Sequence, residues 1–257
     1  MFAKVKPNTQ IIGQNIIYFN QVNSTNKFAL ELIRQNLAEN GTVVLAEFQS
    51  EGKGQFGREW VSNPYENLIF SIILKHVTNI PANPFIINKT ITLSMLQCIS
   101  ELLPEAEIKI KWPNDIYADR RKISGILVEN NYSGQHLNYS IVGIGLNVNQ
   151  DFEFVDSLRA TSLKAKTGQL MDRPALLRQI VEQIEKNYLQ MYKDSEKIET
   201  LFNEHLLGYN TFCQFDINDK IEEGRILACD GNGRLLLEIN DKPKTFLHGE
   251  IKQIIHA

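Results

Sequence analysis

Four short stretches of this sequence carry residue types that could do chemistry, and the first of them suits an anionic ligand such as phosphate or carboxylate. The first is Glu51-Gly52-Lys53-Gly54-Gln55-Phe56-Gly57-Arg58, followed by Trp60. Its glycines let the backbone take positive φ angles and approach a ligand closely, while Lys53 and Arg58 supply positive charge. The loop lacks the GK[ST] ending of a Walker loop, and its glycine spacing is not that of a dinucleotide fingerprint. From this stretch alone, a flexible surface loop with incidental charge reads equally well.

The second stretch is Lys109-Ile110-Lys111-Trp112-Pro113-Asn114-Asp115. The alternation of Ile108, Ile110 and Trp112 predicts a strand with Lys109 and Lys111 on its other face. Pro113 ends the ladder, leaving Asn114 and Asp115 at a strand end, where functional side chains often sit. The competing reading is a solvated lysine face followed by an ordinary turn. In the third stretch, Arg120-Arg121-Lys122-Ile123-Ser124-Gly125-Ile126-Leu127-Val128-Glu129, a basic cluster runs into an apolar strand. Lys122 follows Asp115 by seven residues across a plausible hairpin, so the two could face one site. In the fourth, Gly143-Ile144-Gly145-Leu146-Asn147-Val148-Asn149, glycines inside an apolar strand mark either a bulge or the close approach of another group. Upstream, Ser24-Thr25-Asn26 reads first as a helix cap.

The elements that must position these residues follow from periodicity. Strand-like runs fall at Thr42–Ala46, Leu68–Leu74, Ile108–Trp112, Gly125–Glu129 and Tyr139–Leu146. Helical stripes lie between and after them: Phe28, Leu32 and Ile33 behind Ser24; Ile91, Met95, Leu96, Ile99 and Leu103; then Leu177 through Met191 behind Asp172 and Pro174; then Glu196–Leu206. After Gly208 the texture becomes strands and turns, Phe212–Ile217, Lys220–Cys229, Arg234–Ile239 and Thr245–Leu247. The separators are Asn218-Asp219, Asp230 to Gly233 and Asp241-Lys242-Pro243. A unit that small has a weak core of its own and is expected to dock on the larger part.

With 257 residues, 43% hydrophobic and 22% charged, the chain is an ordinary globular protein, neither disordered nor fibrous. A formal net charge of -3 argues against a dedicated nucleic-acid binder. The longest apolar segment, Leu68 to Leu74, is strand-sized and carries a serine, so no membrane span is predicted, and the N-terminus lacks the apolar core of a secretion signal. Cys98, Cys213 and Cys229 are widely spaced, which fits small buried hydrophobes in a reducing, cytoplasmic setting better than a metal or disulfide framework. His76, His136, His205, His248 and His256 show no metal spacing and read as surface or packing residues.

Taken in order, Ser24-Thr25-Asn26, Gln49 ahead of the GKGQFGR loop, KWPND, KISGILVE and GIGLNVN resemble the biotin protein ligases, also called biotin–[acetyl-CoA-carboxylase] ligases, over nearly the whole chain. The end of the chain, with His248-Gly249-Glu250-Ile251, resembles that family's small SH3-like barrel. The resemblance implies an α+β fold: a mixed or antiparallel sheet with helices on one side, as in class II synthetase-like ligases, over residues 1–206. Residues 207–257 would form the barrel.

The same resemblance implies an activity. With ATP and Mg²⁺ as cofactors, biotin is activated as biotinyl-5′-AMP and passed to one lysine of a biotin carboxyl carrier protein. Lys122, Asp115, Lys111 and Arg58 would be catalytic, the cations screening two anions and Asp115 orienting the incoming lysine and accepting its proton. Ser24, Thr25 and Asn26 would line the biotin pocket and Gln49 would contact the head group, with Lys53, Gly54 and Gln55 closing over it and Lys122 and Gly125 beside the carboxylate. Lys53, Arg58, Asn114, Asp115, Lys122 and Asn147 would lie along ATP. The resemblance supplies no protein metal ligands.

The sequence departs from the family's commonest pattern twice. GKGQFGR stands where GRGRxGR is usual, so Lys53 keeps charge without arginine's planar fork and Gln55 carries none. Arg159-Ala160-Thr161-Ser162-Leu163 offers no aromatic shelf for adenine. With 23 residues ahead of Ser24, no DNA-binding activity is expected. A homodimer through sheet edges is one open arrangement. The rival functions are a lipoate or octanoate ligase or transferase of the same architecture, a non-catalytic binder of a small acid, and an adaptor acting through its β unit.

Overall fold

A computed structural model describes residues 2, 5–76, 80, 83–152 and 159–255. The strands β1 (Ile16–Val22), β2 (Val43–Gln49), β3 (Leu68–Lys75), β4 (Ile108–Lys111), β5 (Asp115–Ala118), β6 (Arg121–Ser133) and β7 (His136–Leu146) form one sheet in the order β1-β2-β3-β7-β6-β5-β4. The β1–β2 pair is parallel and the other pairs are antiparallel, so the sheet is mixed. The helices are α1 (Thr25–Arg34), α2 (Phe85–Leu102), α3 (Leu163–Thr167), α4 (Arg173–Lys193) and α5 (Ser195–Glu204).

The side chains of β3 alternate between two apolar layers. Leu68, Phe70, Ile72 and Leu74 join Val142, Ile144 and Leu146 of β7 in the main core, against α2, α4 and α5. Ile73 meets Val44, Ile141 and the Ala29/Leu32 face of α1 on the other side. Strands covered on both faces read as near-continuous apolar runs, which is why β3 was legible. The expected one-sided helical layer describes α2, α4 and α5, while α1 packs on the opposite face.

The start of α4 follows the predicted chemistry. The Asp172 carboxylate accepts the Ala175 N–H, with Pro174 in the first turn of α4. Beneath α4, Arg173 pairs with Glu47 of β2 at 2.5 Å and donates to the Asn67 carbonyl, and Tyr18 donates to Glu47. Burial, with that hydrogen bond to Glu47, pushes the Tyr18 phenol up to about 12. Removing either partner of so buried a pair costs about 3–5 kcal/mol.

The C-terminal strands β8 (Phe212–Ile217), β9 (Lys220–Cys229), β10 (Leu235–Ile239), β11 (Lys242–Phe246) and β12 (Ile251–Gln253) form an antiparallel sheet in the order β11-β10-β9-β8-β12, in keeping with an SH3-like domain. Asn218 and Asp219 both take positive φ and join β8 to β9 as a two-residue hairpin. The hairpin from β10 to β11 differs from the expected separator. Asn240 and Asp241 make the turn, and Lys242 and Pro243 lie within β11. Pro243 is tolerated there because β11 is an edge strand. Three other strands escaped the periodicity. Exposed Asn20 and Gln21 break the pattern of β1, and β5 and β12 are too short to show one.

This sheet is firmly docked. Lys89 of α2, fully buried, donates to the Cys229 carbonyl at 2.9 Å and lies 3.3 Å from Glu199 of α5. Trp112 Nε1 donates to the Gly233 carbonyl at 3.0 Å, and Asn203 accepts the Cys229 N–H at 2.8 Å. Among the described residues no helix is long and apolar enough to cross a membrane, and the three cysteines are free.

Candidate functional site

One row of residues runs straight across the face that α1 occupies. Registers place Ile69 opposite Gly145, Gly145 opposite Gly125, Gly125 opposite Asp115 and Asp115 opposite Lys111, spanning β3, β7, β6, β5 and β4. The adjacent row pairs Ser71 with Gly143 and Gly143 with Leu127. Glycine at these crossings strips the sheet of side chains and leaves a floor of backbone. Above it lies a cavity of ≈ 600 Å³. The alternatives for the Gly143/Gly145 stretch are thereby resolved in favour of close approach. A Cβ on Gly145 would fall 2.4 Å from Trp60 Cε2, and one on Gly143 2.5 Å from Asn26 Oδ1.

A bulge puts the key lysine on this face. Asp119 and Arg120, both at positive φ, turn β5 into β6 as a tight hairpin. The pairing then slips between Ile116 and Tyr117, so Ile116 faces Ser124 but Tyr117 faces Lys122. The extra residue, Ile123, is buried in the main core, and Lys122 turns onto the cavity side with Asp115 and Tyr117. Lys122 Nζ lies 2.7 Å from Asp115 Oδ1 and 5.5 Å from the Trp60 ring centroid. The backbone of Lys122 is held on both sides, its N–H by the Arg159 carbonyl and its carbonyl by the Thr161 N–H.

Lys111 lies with its ammonium 5.4 Å from the Tyr117 ring centroid. Burial lowers its pKa, opposed by Asp115 and helped by Lys122, Arg58 and Lys252. Tyr117 is pushed up to about 12 by burial and by Asp115.

The glycine loop forms a folded hairpin. The backbones of Lys53 and Glu59 pair as an isolated antiparallel β-bridge, the Gly54 N–H donates to the Arg58 carbonyl at 2.7 Å, and the Trp60 N–H donates to the Gly52 carbonyl at 3.0 Å. Trp60 is thereby laid over Gly145. Among the described residues, Trp60 Nε1 and Gln55 Oε1 are buried without a hydrogen-bond partner.

At the α1 end, Ser24 occupies the cap position, but its side chain makes no capping hydrogen bond. The neighbouring polar groups are used differently. Gln49 Oε1 accepts the Thr25 N–H at 2.7 Å and its hydroxyl at 3.0 Å. The Ser71 hydroxyl lies 2.7 Å from Thr25 Oγ1 and 2.6 Å from Asn26 Oδ1. Asn26 Nδ2 donates to Glu129 at 2.6 Å. Such a network of amides and hydroxyls suits a neutral polar head group.

Every residue to which the resemblance gives a catalytic or binding role lines this cavity except Asn147. Asn147 instead donates to the Thr161 carbonyl at 2.9 Å and fixes the segment that holds Lys122. Asn114 is in the wall, with its amide donating to the Ile126 carbonyl. Glu129, Ser71, Trp60, His248 and Lys252 were not assigned roles from the sequence. The serine interrupting Leu68–Leu74 was the available signal for Ser71, and alternation from Gly125 through Leu127 was that for Glu129. Nothing local marked Lys252 or His248 as lining a site, although His248 stands in the run that resembles the barrel; both arrive from the other sheet. His248 packs as expected, its ring edge-on to Trp112 at 5.2 Å, but it also lines the cavity. Burial, then Arg58, lowers its pKa. His256 lies outside the described residues. Among the described residues no cluster of three acidic, imidazole or thiol groups could hold a metal ion.

Comparisons with known proteins bear on the family and the fold. Residues 18–147 match the model of the biotin/lipoate A/B protein ligase family. The chain is 34% identical to the bifunctional ligase/repressor BirA of Bacillus subtilis, over 95% of this chain and 75% of that protein. It is 26% identical to the biotin–[acetyl-CoA-carboxylase] ligase of Mycobacterium tuberculosis, over 90% of this chain and 86% of that one. The biotin protein ligase of Aquifex aeolicus in complex with biotin and ATP superposes with a TM-score of 0.76 at 27% identity, covering 94% of this chain and 99% of that structure. By the family-model match and the identity to BirA over three quarters of that protein's length, the chain belongs to the biotin/lipoate A/B protein ligase family.

Proposed function

We propose that this protein is an ATP-dependent biotin–[biotin carboxyl-carrier protein] ligase, built from a catalytic domain at residues 1–206 and a C-terminal SH3-like domain at 207–257. The observation that carries the reading is the order of groups along one cavity: an uncharged polar network at Thr25, Asn26 and Gln49, then the Lys122–Asp115 pair, then Lys111 and Arg58. That order suits a neutral head group, a carboxylate and a polyphosphate laid end to end. The Aquifex relative was solved with biotin and ATP, which supports the same assignment.

In the first step a carboxylate oxygen of biotin attacks the α-phosphorus of ATP. The new C–O–P mixed anhydride forms as the bond to the β-phosphate breaks, and pyrophosphate leaves. Two anions must meet, and Lys122, Lys111, Lys53 and Arg58 are the fixed charges that offset their repulsion in a partly desolvated site. Magnesium enters with ATP as its phosphate complex, a substrate.

In the second step a neutral lysine of the carrier protein attacks the carbonyl. The acyl C–O bond breaks, AMP leaves, and the nitrogen's proton passes to Asp115, 2.7 Å from the Lys122 ammonium. Ser24, Thr25, Asn26, Gln49 and Gly125 line the biotin end, while Lys53, Gly54 and Gln55 close over the adenylate. Gln55 Oε1 and Trp60 Nε1, buried and without partners among the described residues, are placed to meet it. Asn114 borders the nucleotide, and Asn147 acts on it through the segment it fixes. Incubation with biotin, MgATP and a carrier domain, read by intact mass, tests the reading. A gain of one biotinyl group is expected, and no gain with lipoate in place of biotin. Modification by lipoate instead would overturn it.

A further inference from the structure

We propose that Tyr117 is a positioning residue for Lys111: its ring face holds the Lys111 ammonium away from Asp115 and so leaves that charge open to the phosphates of ATP. The inference rests on the ATP-dependent reading above and extends it to a residue that does not itself line the cavity.

The register alone favours a different pairing. Lys111 stands directly opposite Asp115 across β4 and β5, where opposite charges ordinarily attract. Asp115 is instead paired with Lys122 at 2.7 Å, and Lys111 makes no ion pair among the described residues. Its ammonium lies over the Tyr117 ring, 5.4 Å from the centroid. Tyr117 follows Asp115 by two residues on the same face of β5 and is opposite Lys109. It is therefore the diagonal neighbour of Lys111, within reach of a long side chain. The ring is firmly held. β5 lies between β4 and β6, Tyr117 is paired to Lys109 on one side and to Lys122 on the other, and its side chain is buried.

A ring does for Lys111 what a carboxylate cannot. The face of an aromatic ring attracts an ammonium through its quadrupole yet carries no net charge, so the cation is fixed in place without being neutralised. Burial, then Asp115, pushes the Tyr117 phenol up to about 12, so the ring is uncharged at neutral pH. Lys122, by contrast, has both kinds of partner, Asp115 at 2.7 Å and the Trp60 ring at 5.5 Å, and much of its charge is offset within the protein. Without the Tyr117 ring, Lys111 would be free to turn to the carboxylate opposite it. Asp115 would then stand between two ammonium groups, and the charge available to an incoming polyphosphate would fall.

The test uses the full chain with Tyr117→Leu, Tyr117→Phe, Lys111→Ala and the double variant Lys111→Ala/Tyr117→Leu, each checked for cooperative unfolding. In biotin-dependent ATP–pyrophosphate exchange, Tyr117→Leu should raise the KM for ATP about fivefold, the loss of one cation–π contact in a partly desolvated site. Tyr117→Phe keeps the ring face and should stay within about twofold of the wild type. On top of Lys111→Ala, the Tyr117→Leu change should add nothing, because the ring acts through that ammonium. An unchanged KM in Tyr117→Leu, an equal loss in Tyr117→Phe, or the same fivefold loss in the Lys111→Ala background overturns the proposal. A measurement on the wild-type chain covers the case in which Tyr117→Leu does not fold. Ring shielding should move the Lys111 ε-methylene resonances, identified by their loss in Lys111→Ala, upfield of the other lysines, and unshifted resonances overturn the proposal. If the wild-type protein shows no biotin-dependent exchange, the ligase reading itself has failed. Calorimetric binding of inorganic tripolyphosphate then decides the role of Tyr117, with about fivefold weaker binding by Tyr117→Leu expected and equal binding contradicting it.

Discussion

Lys122 and Asp115 meet at 2.7 Å because the sheet slips by one residue between them. Without the bulge at Ile123, the lysine would point into the core with Ser124, and the carboxylate would face the cavity alone. A local irregularity in pairing thus sets the distance between a cation and a base.

This pairing separates the two steps of the reaction. Asp115→Asn keeps the shape of the group but removes its capacity to accept a proton. Transfer from supplied biotinyl-5′-AMP to a carrier domain should fall roughly a hundredfold, within the usual range for general-base catalysis. Pyrophosphate exchange should fall much less. Rapid-quench measurement of both steps on the same preparation checks the difference, and equal losses would remove the proton-accepting role.

The glycine floor predicts a steric phenotype. In Gly143→Ala the new Cβ would stand 2.5 Å from Asn26 Oδ1, so Asn26 must move off Glu129 and Ser71. Strain of this kind costs about 1–3 kcal/mol. Affinity for biotin should fall by tenfold or more, with the KM for ATP nearly unchanged, and titration calorimetry with biotin reads it directly.

His76 gives the fold an acid-sensitive point away from the cavity. It is buried, with Nε2 3.0 Å from the Ser140 hydroxyl, and burial lowers its pKa from 6.5 to about 4. Between those values the unfolded chain binds the proton and the folded chain does not, so stability falls as pH drops through the window from 6.5 toward 4. At 1.36 kcal/mol per pKa unit, the full effect is on the order of 3 kcal/mol. Urea unfolding at pH 7 and pH 5 should show the loss, and His76→Gln should flatten it. A wild-type stability that stays level over this range would contradict the assignment.

Legibility followed the physics of each element. The strand of Leu68–Leu74, buried on both faces, and α4, with Asp172 and Pro174 at its start, announce themselves by local pattern. The glycines at 143 and 145 left a bulge and a close approach open from sequence, and Trp60 and Asn26 decide for the approach. The edge strand β1 was hidden by its solvent-facing Asn20 and Gln21. The role of Asn147, turned to the Thr161 carbonyl and away from the cavity, depends on a backbone path that no spacing encodes. Lys252 and His248 were invisible for the same reason, since only the docking of one sheet on another brings them to the site.

Intact-mass analysis of a carrier domain after incubation with biotin and MgATP, comparing the wild-type chain with Lys122→Ala, tests whether converging cations drive the reaction. The wild-type protein should add one biotinyl group. The variant should retain cooperative unfolding and label at least about a hundredfold more slowly, the loss expected when a preorganised charge is removed from the reacting atoms. Labelling by Lys122→Ala at the wild-type rate would contradict the account.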